Sequence, residues 1–177
     1  MSSTVMEFAD LLGSARHSAV HLEMRDRYSV GDEADDFNSF LRTGKAAAAD
    51  PADAYWGTWP DMVQEAVSRG VVMRRARIVS EPVTDYIRYE HAITGVNLKA
   101  GEDVRWLTRR LASDIALPGN DFWLFDGKTV QFNLFTGDGD WAQPPKQWSR
   151  EPSVTALCAA AFEKVWERAV PHTEYTL

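Results

Sequence analysis

Cysteine is nearly absent from this sequence: Cys158 is the single one in 177 residues, so no internal disulfide can form. Excess positive charge is missing as well. With 19 Lys and Arg against 26 Asp and Glu, the formal charge is -7 and the pI is near 5.1. Nonspecific attraction to phosphate backbones needs a basic surface, so no direct nucleic-acid partner is expected. The N-terminus has no basic region leading into an apolar run, and no apolar stretch is long enough to span a bilayer. These absences predict a cytoplasmic protein without a membrane partner. Also missing are a glycine-rich phosphate loop, a nucleophile elbow and a paired-cysteine motif, so no catalytic residue and no cofactor are read from the chain.

What remains is aromatic-rich and globular in composition. Hydrophobic residues are 45% and charged residues 25% of the total, with seven Trp and eight Phe. A chain of this length buries roughly 70% of its unfolded surface without metals or disulfides. One domain over residues 1–177 is expected.

The chain is organised around Asp121 to Phe135, two apolar runs hinged at Asp126-Gly127-Lys128. Aspartate-glycine between β-branched and aromatic residues is a strong hairpin signal. Phe122 and Leu124 alternate with Trp123 and Phe125, so both faces of the first arm are apolar and both must be covered. Upstream, Thr4 and Glu7 form a capping-box pattern before Phe8, Leu11, Leu12 and Ala15, which recur at helical spacing. From Ser18 to about Tyr28 the period becomes two. Val20, Leu22 and Met24 face one way and His21, Glu23 and Arg25 the other, a half-buried strand with a solvated polar side.

Asp32 to Arg42 reads as a helix, and residues 43–55 lose all pattern and are expected to be a mobile loop. Trp59-Pro60 opens a helix closed by Gly70, and Val71 to Val79 is a strand. Glu81-Pro82 is expected to start another helix carrying Tyr86, Ile87, Glu90 and Ile93, ended by Gly95. Val104 to Leu107 is a short strand, and Arg109 to Ile115 one or two helical turns. Gly137 to Asp140 and Pro144-Pro145 mark a loop out of the hairpin. Glu151 to Val170 keeps a 3.6-residue period through a long final helix with Cys158 on its apolar stripe. The tail after Pro171 is loose or docked through Tyr175. This order predicts an α/β (α+β) fold with a single mixed sheet and helices on both faces.

His17, His21 and Glu23 would share a strand face, but with no zincin motif or cysteine partner no metal site is expected. Arg74, Arg75 and Arg77 place guanidiniums on both faces of one strand, with Glu81, Asp85, Glu90, Glu102 and Asp121 as candidate partners. A structural ion-pair network is one reading of this group. The other is a ligand pocket for a small anion or nucleotide built from Arg77, Glu81, Tyr86, Arg88, Glu90, Asp121 and Trp123. Asp126 belongs to the turn, and Cys158 is read as a buried small hydrophobe.

The strings Arg74 to Glu90, Ala100 to Leu107 and Leu117 to Asp126, with the opening Phe8 to Leu12 helix, the Ser18 to Glu23 strand and the closing Trp166 to Pro171, carry a resemblance. Over nearly its whole length the chain resembles the actinobacterial domain-of-unknown-function family numbered 6879. Members of that family are commonly encoded beside helix-turn-helix regulators. The resemblance therefore implies a regulatory or accessory role through contact with such a protein partner, and it supplies no catalytic residue. Self-association is left open. The element order is also similar to one half of a phospholipase D-like domain, whose enzymes need His, Lys two residues later and Asp five further on. With Asp126 in the place of that Asp, Gly119 stands where His belongs and Asp121 where Lys belongs. That half-domain would lack phosphodiesterase chemistry.

Overall fold

Successive strand residues point to opposite sides of a sheet, and here the two sides carry different chemistry. The structure, a computed structural model, describes residues 7–29 and 31–177. Strands β1 (Ser18–Glu23), β2 (Val72–Val79) and β3 (Asp103–Thr108) are parallel to one another. Strands β4 (Phe122–Phe125), β5 (Thr129–Phe135), β6 (Trp141–Ser149) and the two-residue β7 (Val170–Pro171) run antiparallel to their neighbours. All seven form one mixed sheet in the order β6-β5-β4-β1-β2-β3-β7. The helices are α1 (Phe8–Ser14), α2 (Ala34–Thr43), α3 (Trp59–Ser68), α4 (Asp85–Ala100) and α5 (Pro152–Arg168). The fold is the α+β mixed sheet that the sequence predicts, with helices on both faces.

One face is largely apolar, with Arg74 lying over Phe162 and Trp166 of α5 and Arg105 over Trp166. Val20 and Leu22 of β1, Ala76 and Ile78 of β2 and Phe122 and Leu124 of β4 pack against Cys158, Phe162 and Val165 of α5. Fully burying a side chain such as Phe162 contributes roughly 1.5–3 kcal/mol. The opposite face is divided. Ala19, Met73, Trp123 and Phe125 lie under α1 and α3. Val79 and Trp106 lie under α4, against Tyr86, Tyr89 and Ile93. Between these two apolar clusters the sheet presents His21 and Glu23 from β1 and Arg75 and Arg77 from β2, paired in register. These side chains are buried or nearly so: His21 is 4% exposed and Arg77 4%. The solvated polar side expected of β1 is therefore wrong, because the segment between β1 and α3 folds over it.

Several boundaries also move. β1 stops at Glu23 rather than near Tyr28, since the next backbone N–H, that of Met24, donates to the Asp121 carboxylate at 2.9 Å. α4 begins at Asp85, not at Glu81-Pro82. Thr84 caps it by accepting from the Ile87 N–H at 3.2 Å, while Ser80 is tied to Asp26. α4 also runs through Gly95 to a left-handed Gly101 at φ 111°. The segment around Pro144-Pro145 is strand β6; proline is tolerated there because β6 is the sheet's outer strand. The stretch 43–55 holds two 3-10 turns, with Ala48 fully buried and its carbonyl accepting from Trp56 Nε1 at 2.8 Å. Thr4 of the expected capping box lies outside the described residues. Glu7 is the N-cap of α1 and makes no side-chain cap bond.

The hairpin stands where it was expected, with Asp126, Gly127 and Lys128 as a three-residue connection. Asp126 and Gly127 have φ 51° and 65°, and Phe125 accepts from the Lys128 N–H at 2.9 Å. The tail is docked: the Tyr175 ring stacks on Trp106 with centroids 5.5 Å apart.

Candidate functional site

The polar strip of the sheet is closed by ion pairs. Burial opposes ionisation of Glu23, yet the charges of Arg77 and Arg75 hold its pKa well below the usual carboxylate value. Arg75 Nη1 donates to Glu23 Oε1 at 3.0 Å, and Arg77 Nε donates to Glu23 Oε2. The same arginines reach outward. Arg75 Nε donates to Glu102 at 2.9 Å, Arg77 Nη2 contacts Glu90 at 2.6 Å, and Arg77 Nη1 donates to Thr94 at 2.5 Å. Glu102 also accepts from Asn97 at 2.8 Å and Trp59 Nε1 at 3.0 Å. His21 stacks flat on Trp123, centroids 4.3 Å apart, and its Nδ1 donates to the Phe122 carbonyl at 2.8 Å. Burial pulls its pKa down, with Glu23 acting against that.

Above this floor lies a cleft of about 350 Å³. Its walls are aromatic. Phe8, Trp59 and Trp123 form one side, Tyr28, Tyr55, Trp56 and Tyr86 come from the overlying segment and α4, and Phe135 and Trp141 close the end toward β6. Lys146 donates to Asn133 Oδ1 at 2.7 Å and sits 4.0 Å from the Trp141 ring centre; burial lowers it to about 8. Two further carboxyls line the cleft. Asp121 accepts from the Met24 N–H and from the Tyr28 hydroxyl, and burial pushes it up to about 6. Glu33 accepts from Tyr55 Oη at 2.9 Å and meets Tyr86 Oη at 2.6 Å. Burial, with the charge of Glu90 adding to it, pushes Glu33 up to about 7.

Of the residues singled out from sequence, Arg77, Tyr86, Glu90, Asp121 and Trp123 converge on this cleft. Glu81 and Arg88 do not. Glu81 accepts from Thr108 and Tyr175 beside a second, polar depression with Ser80, Arg109 and Arg110, and Arg88 is exposed, 4.0 Å from Asp85. Sequence reasoning missed Glu23, which joins both arginines, and Glu33, Tyr28 and Lys146. One signal for Glu23 was present: His21 and Glu23 on β1 repeat the two-residue spacing of Arg75 and Arg77 on β2, the spacing that lets opposite charges meet across paired strands. Among the described residues no group of three or more His, Cys, Asp or Glu could hold a metal ion, and no helix is long and apolar enough to cross a membrane.

A family model matches residues 6–177. The chain belongs to the family described as Domain of unknown function (DUF6879). This DUF6879 chain finds no match among curated proteins. Among solved structures it is similar to TrmBL2, an archaeal chromatin protein with a novel mode of DNA binding, at 14% identity and a TM-score of 0.47. The similarity covers 92% of the DUF6879 chain and 48% of the other, so this chain spans about half that protein's length.

Proposed function

We propose that this chain is a ligand-responsive accessory module of the cytoplasm, without catalytic chemistry of its own, that acts through contact with a helix-turn-helix transcriptional regulator. The observation that carries the ligand-binding part is the convergence of side chains from β1, β2, β4, β5, β6 and α4, with Tyr28, Glu33 and Trp56 from between β1 and α3, on one cleft of about 350 Å³. Small-molecule sites are concave, mostly aromatic and apolar, and carry a few convergent polar groups; their volumes start near ~300 Å³. The regulatory part rests on the family resemblance. A phospholipase D-like half-domain remains the architectural reading, and Gly119 and Asp121 stand where that chemistry needs His and Lys.

A thermal-shift screen of the whole chain against nucleotides, phosphates, carboxylic acids and amines tests the reading. A ligand that binds only the native state raises the midpoint by mass action. The shift is expected to survive Arg88→Ala, which lies outside the cleft, and to be lost in Asp121→Asn. Loss in Arg88→Ala with retention in Asp121→Asn would place the ligand elsewhere. Co-elution with the regulator, with and without the ligand, then reads the second half of the proposal.

A further inference from the structure

We infer that the cleft takes an organic cation, a protonated amine or amidine carried on a flat apolar body. The inference rests on reading the cleft as a ligand site and names its ligand class. Three observations on the cleft lead there.

The arginines are already engaged. Every guanidinium nitrogen of Arg75 and Arg77 has an acceptor among Glu23, Glu102, Glu90 and Thr94. An incoming anion would have to break a buried ion pair to reach them, which leaves a carboxylate unpaired in a poorly hydrated place. The carboxyls, by contrast, are in surplus. Glu23, Glu90 and Glu102 already outnumber the two arginines they pair with, three carboxylates to two guanidiniums, and Glu33 and Asp121 have no basic partner within ion-pairing distance among the described residues. Lys146 is held at the far wall by Asn133 and Trp141.

The hydroxyl of Tyr86 supplies the third observation. Its oxygen lies 2.6 Å from Glu33 Oε2 and 3.0 Å from Glu90 Oε1. A phenol has one hydrogen, so it can donate to only one of the two carboxylates. The other contact needs a proton on a carboxyl. Burial raises the pKa of Glu90 as well, but Arg77 at 2.6 Å opposes it there and no cation opposes it at Glu33, so the geometry puts that proton on Glu33. The cleft thus holds a proton where a positive charge is wanted, and a ligand cation can take its place. The rings of Tyr28 and Trp56 also line the cleft, and aromatic rings attract cations and planar groups.

The test is isothermal titration of the full chain with two matched trios. Tryptamine, indole-3-acetamide and indole-3-acetate share one ring body; phenethylamine, phenylacetamide and phenylacetate share another. The amine of each trio is expected to bind at least about tenfold more tightly than its neutral and anionic partners, the factor worth one lost buried charge pair. Glu33 is faced by Glu90 and Tyr86 from α4, by Tyr55 from the second 3-10 turn and by Glu23 from β1. Because the cation displaces its proton, amine affinity should rise by about tenfold or more between roughly pH 5.5 and roughly pH 8. Heats measured near neutrality should differ between phosphate and Tris buffers by the released proton. Glu33→Gln should flatten the pH dependence, and Asp121→Asn should weaken every amine. The buffer comparison needs no variant and stands if either substitution fails to fold. Tighter binding of the carboxylates, or equal binding of the amides, overturns the cation inference and leaves the ligand cleft standing. Absence of binding by all six compounds overturns both.

Discussion

Arg77 shows how much of this molecule hangs on single ion pairs. It is 4% exposed and joins Glu23 to Glu90. Removing one partner of a buried pair leaves an uncompensated charge, which costs about 3–5 kcal/mol. Arg77→Met should lose that much by urea unfolding at neutral pH. Glu23 has a depressed native pKa, so its contribution is present above the unfolded value near 4.5 and is lost as pH falls through the native one. The gap between wild type and variant should therefore narrow in acid, and a constant gap would place the effect in packing instead. Glu33 has the opposite sign. Its native pKa, about 7, lies above the unfolded 4.5. Its contribution is full below the unfolded value and declines as pH rises through the native one. Glu33→Gln, which keeps a donor and an acceptor toward the two tyrosines, should remove that decline. At about pH 8 it should be more stable than wild type by on the order of 2 kcal/mol, read from unfolding curves across pH.

Among the elements, the hairpin turn does a second job. Besides reversing the chain, the Asp126 carboxylate accepts the backbone N–H groups of Arg16, His17 and Ser18 at 2.7–3.2 Å, and the Asp126 N–H donates to Ser18 at 2.9 Å. The turn thus fixes where β1 starts. Asp126→Ala leaves three donors without their acceptor and puts alanine at φ 51°, so a loss of about 2–3 kcal/mol is expected, with Asp126→Asn losing less. Chemical denaturation of the two variants ranks them; because asparagine tolerates φ 51° and alanine does not, equal losses would put the cost in the lost carboxylate charge and not in the backbone angle. The reversal itself was legible because Asp-Gly between apolar runs is a local signal. The anchoring was not, since the partners lie about 110 positions away in sequence. β6 escaped notice for a related reason: Pro144 and Pro145 read as loop until the strand is known to have a free edge. The start of α4 was placed early because proline is favoured in a first helical turn, and Thr84 with Asp85 competed for the same role and won.

At the scale of the whole molecule, the sheet separates a dry face from a polar one, and this division governs what the sequence could reveal. The apolar stripe of α5 was legible because apolar periodicity is local, whereas the pairing of Arg74 with Glu163 of α5 was not. Five of the seven proposed ligand residues do meet in the cleft, for arginines on a strand with covered faces must find carboxylates. Glu23 was hidden because alternating charge on a strand reads as solvated unless one knows that residues between β1 and α3 fold back over it, and Glu33 because it lies in an acidic run that reads as the exposed start of a helix. Whether the two faces respond as one body can be measured. Cys158 is fully buried between α5 and the sheet, and burial pushes its thiol up to about 11. A thiol reagent at neutral pH can reach it only when the molecule opens. Arg77 lies on the other side of the sheet from Cys158. If opening at Cys158 is global unfolding, the free energy lost in Arg77→Met is felt there in full, and labelling should accelerate by about a hundredfold or more. If labelling proceeds at the wild-type rate, α5 opens locally, and the polar face and the dry face are separate cooperative units.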